Sequence, residues 1–407
     1  MNDRFEIPGR LRNTSLFLIA VGVLTLIIGV ASLLMGHNAT DVDRARFWAV
    51  LLHDSVFFTL LSTISVFIVS AVALAQGSWI LAYRRVPEAI GANVWVFSLI
   101  AAAVMFLIVF TFKDSHGINT IYAWVTPGND KILLGKSAFL NKGMFVGFTL
   151  VTLGLWSFFG KKFQALSLEQ EKAPKNDPKI YWKVFRLSGV FLFVYALSQM
   201  STSPWLWIMS VQPHWYSTLF SWYTFASAFV SGMSLILLWV VYLKNQGNLQ
   251  LVTTEHMHDL GKFMFAFSIF WTYLWFAQYM LIWYANIPDE TVHFKLRQQG
   301  PYSIIFYANF IINFVMPILI LMSRPSKRNY FTITFMAMVI IFGHWLDFFQ
   351  MIMPAPLGEN WHINWYEIGI FMGFAGIMIF CVSRTLAKSD LVPNNSLLLK
   401  ETIVHLS

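Results

Sequence analysis

Four ionisable side chains fall within seven positions at His256, His258, Asp259 and Lys262, at the mouth of an apolar stretch long enough to cross a bilayer. An ionised group near hydrocarbon costs about 2.5–3.5 kcal/mol on insertion scales, so such a cluster serves a proton, an ion or a partner. Imidazoles and a carboxylate exchange protons near neutral pH, and a neighbouring ammonium biases their titration. Proton uptake is therefore the chemistry these residues suit. Interfacial anchoring, with Asp259 and Lys262 as a plain ion pair, is the simpler account. At about 100° per residue, His256, Asp259, Lys262, Tyr273 and Tyr284 share one helix face. A gap of about 16 Å separates Lys262 from Tyr273, which water or neighbouring helices would have to bridge.

A second set lies deeper. His344 and Asp347 stand three residues apart and so are neighbours on one helix face. Asp347 falls about 27 Å along its span, in the outer third of a hydrocarbon core about 30 Å thick. A carboxylate there is either part of a proton exit or neutral and hydrogen-bonded to a neighbouring helix. His53 and Asp54 are expected in the first two turns of their own span at the same outer side. Adjacent residues point about 100° apart, so one of the two at most should face a given partner. Asn309, Asn313 and Pro317 suit either a cavity wall or ordinary interhelical bonding. The segment from Ser210, SVQPHWYSTLFSWY, should open a helix with Pro213 in its first turn. It reads as an aromatic belt or the lining of a quinone or other hydrophobic pocket.

The elements that position these groups must be membrane helices. The chain has 407 residues, is 57% hydrophobic and only 12% charged, and has a mean hydropathy of +0.60. That leaves too little polar surface for a soluble domain. The single cysteine, Cys381, excludes a cysteine-ligated iron–sulfur cluster or a covalently attached c-type haem within this chain. A net charge of +8 would raise nucleic acid as a partner of a soluble protein, but here the basic residues lie in short loops, so no nucleic-acid partner is expected.

Ten spans are expected near 14–35, 47–75, 90–111, 138–160, 181–203, 214–242, 256–286, 302–322, 329–353 and 365–386, giving an all-α integral membrane protein. Residues 1–13 form a tail, 14–160 carry spans one to four, 161–180 link the halves, 181–386 carry spans five to ten, and 387–407 form a second tail. Residues 76–90 read as a short interfacial helix that places Trp79 and Tyr83 at headgroup depth and ends at Pro87. The first span should be retained, since residues 1–13 are polar and the following apolar run is long enough to span. Nineteen of the 28 Lys and Arg residues fall on the side of the two termini, eight on the other, and Lys262 is the remaining one. The positive-inside rule then expects both termini in the cytoplasm.

These residues carry a resemblance. HDLGKFMFAFSIFWTYLWFAQYMLIWYANIPDET from His258, PHWYSTLFSWY from Pro213 and RRVPEA from Arg84 resemble the membrane subunits of the NrfD and polysulfide-reductase type. Within that family they are most similar to the F subunit of bacterial alternative complex III, and the likeness runs across all ten spans. It implies two four-helix bundles, spans two to five and six to nine, flanked by spans one and ten. It further implies a quinol:cytochrome c or quinol:oxidase oxidoreductase in respiratory electron transport. The quinol would be held by a C subunit, iron–sulfur clusters by a B subunit and haem c by multihaem cytochrome subunits, with a terminal oxidase as a further partner. This chain would bind no cofactor itself and would have no catalytic site. His258, Asp259 and Lys262, then His344 and Asp347, match the family's proton route.

Three other accounts fit parts of the pattern. A purely structural scaffold of the same complex would make the ionisable clusters anchors. A b-type cytochrome would need two histidines facing each other at one depth, for which His53 and His344 are the pair available. A secondary transporter would need its polar groups at the bilayer midplane, whereas these lie toward the two faces.

Overall fold

The computed structural model describes residues 4–35, 40–174, 177–360, 363–393 and 395–403. Ten helices are long and apolar enough to span a membrane: α1 (Gly9–Leu33), α2 (Asp41–Leu74), α3 (Arg85–Phe110), α4 (Lys142–Lys172), α5 (Pro178–Val211), α6 (Leu219–Asn245), α7 (Thr254–Ala285), α8 (Ser303–Leu321), α9 (Tyr330–Ile352) and α10 (Trp365–Leu386). No strand forms among the described residues. The chain is an all-α multi-pass membrane protein. An isolated backbone bridge between Arg4 and Asp390 ties the two terminal segments together, so the termini share one face of the molecule. It is called the terminal face below.

Helices α2 to α5 pack as one four-helix bundle and α6 to α9 as a second, with α2 and α6 against each other at the join. Those two helices are the most enclosed: 78% and 83% of their most apolar windows are buried, against 17% for α1. Helix α1 instead lies along α10, which rests on α2 and α3. The α1–α10 approach depends on glycine, since a Cβ at Gly373 would stand 2.8 Å from the Cα of Gly22. Small residues at a crossing let two backbones close together where no water is present to drive association.

Several boundaries depart from the sequence expectation. Helix α2 starts at Asp41, six residues early, because Thr40 and Asp43 form a capping box with reciprocal hydrogen bonds. Helix α4 continues to Lys172, so the first part of the expected linker is helical. Residues 76–90 do not form an interfacial helix. Only Trp79–Ala82 makes a short 3-10 turn, Ile80 to Tyr83 are buried, and Pro87 lies in the first turn of α3 instead of ending a helix. A first-turn proline lacks only an N–H that has no helical partner. Helix α6 starts at Leu219, beyond Pro213, because the loop before it is pinned inward: the His293 ring stacks on Trp215 at 3.7 Å, and Lys136 donates to the Pro213 carbonyl at 2.6 Å.

Pro204 and Pro317 each sit within or just after a π-turn, Thr202–Ile208 in α5 and Ile311–Val315 in α8. Proline removes one backbone donor, and the widened turn accommodates the carbonyl left without it.

Candidate functional site

Asp347 lies at the centre of the second bundle with no solvent exposure, about one and a half turns from the end of α9 away from the termini. Three helices supply it with hydrogen-bond donors. The Tyr223 hydroxyl of α6 and Asn309 Nδ2 of α8 (2.7 Å) donate to Oδ1. Ser227 Oγ of α6 (2.8 Å) and Trp271 Nε1 of α7 (2.9 Å) donate to Oδ2. Four donors fill the lone-pair positions of an ionised carboxylate, which lets the charge exist away from water. A proton reaching Asp347 must therefore displace one of them. The hydroxyls of Tyr223 and Ser227 can rotate away, whereas Trp271 and Asn309 are held by packing.

His344 is fully buried beside this carboxylate, its Nδ1 2.9 Å from Ser227 Oγ. The single Ser227 hydroxyl proton points to Asp347, so Nδ1 of His344 must donate to Ser227. Nε2 has no hydrogen-bond partner among the described residues.

His53 and Asp54 face α9 from its other side, and they share a partner. His53 Nε2 donates to the Trp345 carbonyl at 3.0 Å, and Trp345 Nε1 donates to Asp54 Oδ1 at 2.7 Å. The expectation that only one of two adjacent residues can engage a given neighbour fails here, because Trp345 offers a backbone acceptor to one and a ring donor to the other. His53 lies in the fourth turn of α2, since the helix begins earlier than expected. It is turned to Trp345 and Phe349, while His344 is turned to Ser227 and Trp271, so the two histidines do not form a facing pair. Fully buried Glu367 of α10 lies within electrostatic reach of Arg46 and Asp54. Sequence reading missed both Arg46 and Glu367.

At the terminal face the four ionisable residues gather, but their roles separate. His256 caps α7: its Nδ1 accepts from the Thr253 N–H at 3.1 Å and lies 2.8 Å from the Thr253 hydroxyl. Asp259 is buried and pairs with half-exposed Lys262 at 2.6 Å. His258 is buried, with Lys262, Arg328 and Lys327 around it. Tyr83 joins them edge-on to His256 at 6.3 Å. Burial first and the charge of Asp259 second hold the Tyr83 phenol well above its ordinary pKa. Its hydroxyl has no hydrogen-bond partner among the described residues.

Tyr273 and Tyr284 are 65% and 83% exposed, on the outer surface of α7. The shared face found by angle counting is real, but below the first turns it is the face turned away from the bundle. The inward face carries Met264, Ser268, Trp271 and Gln278. Opposite it on α6, Ser227, Ser231 and Ser234 recur at helical spacing and are fully buried. Between Asp259 and Ser268 the buried residues Leu260, Gly261 and Met264 interrupt the polar groups. Among the described residues the two clusters are not joined by a continuous chain of hydrogen bonds.

From Asp347 toward the opposite face, polar groups continue. Tyr223, Gln278, His293, Arg297 and Gln350 line a cavity of about 20 Å³, room for one water molecule. Among the described residues Gln278 Oε1 and Gln350 Nε2 have no partner, as expected of groups that hold such a water. Arg297, on the short helix Pro288–Gln298, donates to the carbonyls of Gln350 (2.9 Å) and His293 (2.7 Å) and pairs with no carboxylate among the described residues. Burial pushes its pKa down to about 9, which still leaves it charged at neutral pH, and burial together with Arg297 holds His293 well below its ordinary pKa. The signal for His293 and Arg297 in the sequence was weak, since both lie between the expected spans and about fifty residues before Asp347.

Asn309 takes the interhelical bonding role, with Asn313 behind it. Asn313 Nδ2 donates to Asn309 Oδ1 at 2.5 Å, which orients Asn309 toward Asp347. Asn313 also occupies the space above Gly343, where a Cβ would stand 2.2 Å from its Oδ1. Gly343→Ala is accordingly expected to displace Asn313 and cost about 1–3 kcal/mol, read as a lowered midpoint of thermal unfolding in detergent. Comparison with known proteins gives no further guide: no protein-family model and no curated protein matches this chain.

Proposed function

We propose that this chain is a membrane subunit of a quinol-oxidising respiratory complex of the alternative complex III type, and that it carries protons through its second bundle. The observation behind the proton role is Asp347, a carboxylate in the membrane interior whose four donors include two rotatable hydroxyls. An anchor needs no carboxylate at that depth. Asp259, His258 and Tyr83 serve as the collecting end, and Tyr223 with the water cavity beside Arg297 serves as the outlet. Lys and Arg counts favour both termini in the cytoplasm, which makes the terminal face the uptake side, and the sequence resemblance implies a bacterial inner membrane. His53 and Asp54 form a second buried acid–base pair at the outlet side. The setting rests on the sequence resemblance. It supplies the quinol-binding C subunit, the iron–sulfur B subunit and multihaem cytochromes as partners, with cytochrome c or a terminal oxidase as acceptor.

A scaffold role has one observation in its favour, because a carboxylate saturated with donors also locks three helices together. Affinity purification of the chain from its native membrane tests the setting. The expected result is co-purification of subunits with c-type haem absorbance and quinol-oxidising activity. Isolation of the chain alone, with neither, would overturn it.

A further inference from the structure

A second site lies on the face opposite the termini, separated from the one-water cavity by Trp215, whose ring stacks on His293. The turn and short helix after α3 (Lys131–Gly135, continuing to Leu140) and the α5–α6 connection enclose an open cleft of about 350 Å³. That is the size at which ligand-binding clefts begin. Its walls are Phe139, Leu140, Trp205, Met209, Trp215 and Tyr216. The nitrogens on these walls are donors. Lys136 Nζ spends one N–H on the Pro213 carbonyl and lies 5.5 Å from the Tyr216 ring centroid. Trp215 closes the cleft on its inner side: it is 3% exposed, and its ring stacks on His293.

No lining residue is acidic. The nearby carboxylate, Asp130, is already committed: His214 binds one oxygen at 2.6 Å, and the N–H groups of Ile132 and Leu133 bind the other. These contacts hold its carboxyl below the usual carboxylate range. Beyond the cleft the apolar surface continues onto the membrane-facing side of α4, where the Phe139 ring meets Phe148 at 6.2 Å and Trp205 at 6.3 Å. One end of the site thus offers a cation, and the other a partly exposed aromatic track.

We infer that this cleft binds an anionic phospholipid, with the phosphate at Lys136 and an acyl chain along Phe139 and Phe148. Charge complementarity selects this occupant over a zwitterionic lipid. A quinol fits less well, because it must release its protons to an acceptor and the wall nitrogens are donors. Burial lowers the pKa of Lys136, and a phosphate in the cleft would hold the ammonium charged. The inference does not depend on the respiratory role, since any bilayer with anionic lipid supplies the ligand.

Native mass spectrometry of the delipidated full chain, titrated with phosphatidylglycerol or phosphatidylcholine, tests it. The expected result is tighter binding of phosphatidylglycerol by about fivefold or more, as one ammonium near a lipid phosphate supplies. Lys136→Gln should abolish the preference and Lys136→Arg retain it. Inorganic phosphate at equal concentration should fail to displace the lipid, which separates a headgroup in place from a free anion. Equal affinity for the two lipids, or an unchanged preference in Lys136→Gln, would overturn the assignment. Displacement of phosphatidylglycerol by a short-chain quinone would do so as well, and would assign the cleft to quinone.

Discussion

Asp347→Asn is expected to abolish proton release linked to quinol oxidation in liposomes containing the purified complex, while electron transfer to the acceptor continues. The variant keeps the volume of the side chain and one acceptor oxygen. Its amide nitrogen, however, must face either Tyr223 and Asn309 or Ser227 and Trp271, both of which present donors to this residue. Two donors opposed by a third leave about 1–3 kcal/mol of unmade hydrogen bonding, so a modest loss of stability accompanies the loss of protons. Asp347→Ala should be worse, because four donors lose their acceptor together. A dye that reports internal pH, read alongside acceptor reduction, checks this. Unchanged proton release per electron in Asp347→Asn would establish the scaffold role and end the proton proposal.

Arg297→Gln should turn the second bundle into a proton leak. The guanidinium stands beside the one-water cavity that separates Tyr223 from the opposite face, and it carries its charge at neutral pH. A proton crossing that water meets a like charge. At an effective dielectric constant of about 20 a unit charge a few ångströms away is worth a few kcal/mol, so its removal should raise passive proton flux roughly tenfold or more. Arg297→Lys provides the control. Both substitutions lose the fork of bonds to the Gln350 and His293 carbonyls, but only Gln loses the charge. Liposomes holding the chain alone, under an imposed pH gradient, suffice. Leak in Gln and not in Lys, cancelled by adding Asp347→Asn, is the expected pattern. Equal leak in both would assign Arg297 a structural task only.

The periodicity of apolar residues and the length of the apolar runs placed ten helices correctly, because a helix in lipid must satisfy its backbone internally and announces itself by composition. Helix ends were less legible. The start of α2 depends on a capping box, and Pro87 was read as a terminator where it is an initiator. Both follow from local hydrogen bonding that hydropathy does not record.

Residue type alone singled out Asp347, His344, Asp54, His53, Asp259 and His258, since ionisable groups in a hydrocarbon setting are rare enough to stand out. What surrounds them did not stand out. Tyr223, Ser227, Trp271 and Asn309 are ordinary members of membrane helices until four elements bring them to one carboxylate. Helical angle counting put Tyr273 and Tyr284 in line with Asp259 but carried no information on which side of α7 faces its neighbours. The packing of α7 against α6 and α8 turned those tyrosines outward and Trp271 inward. The sequence by itself determined a multi-pass helical membrane protein with carboxylates and imidazoles buried in it. Tertiary structure alone decided which of them meet, because a helix fixes the angle between its own residues and leaves its rotation to its neighbours.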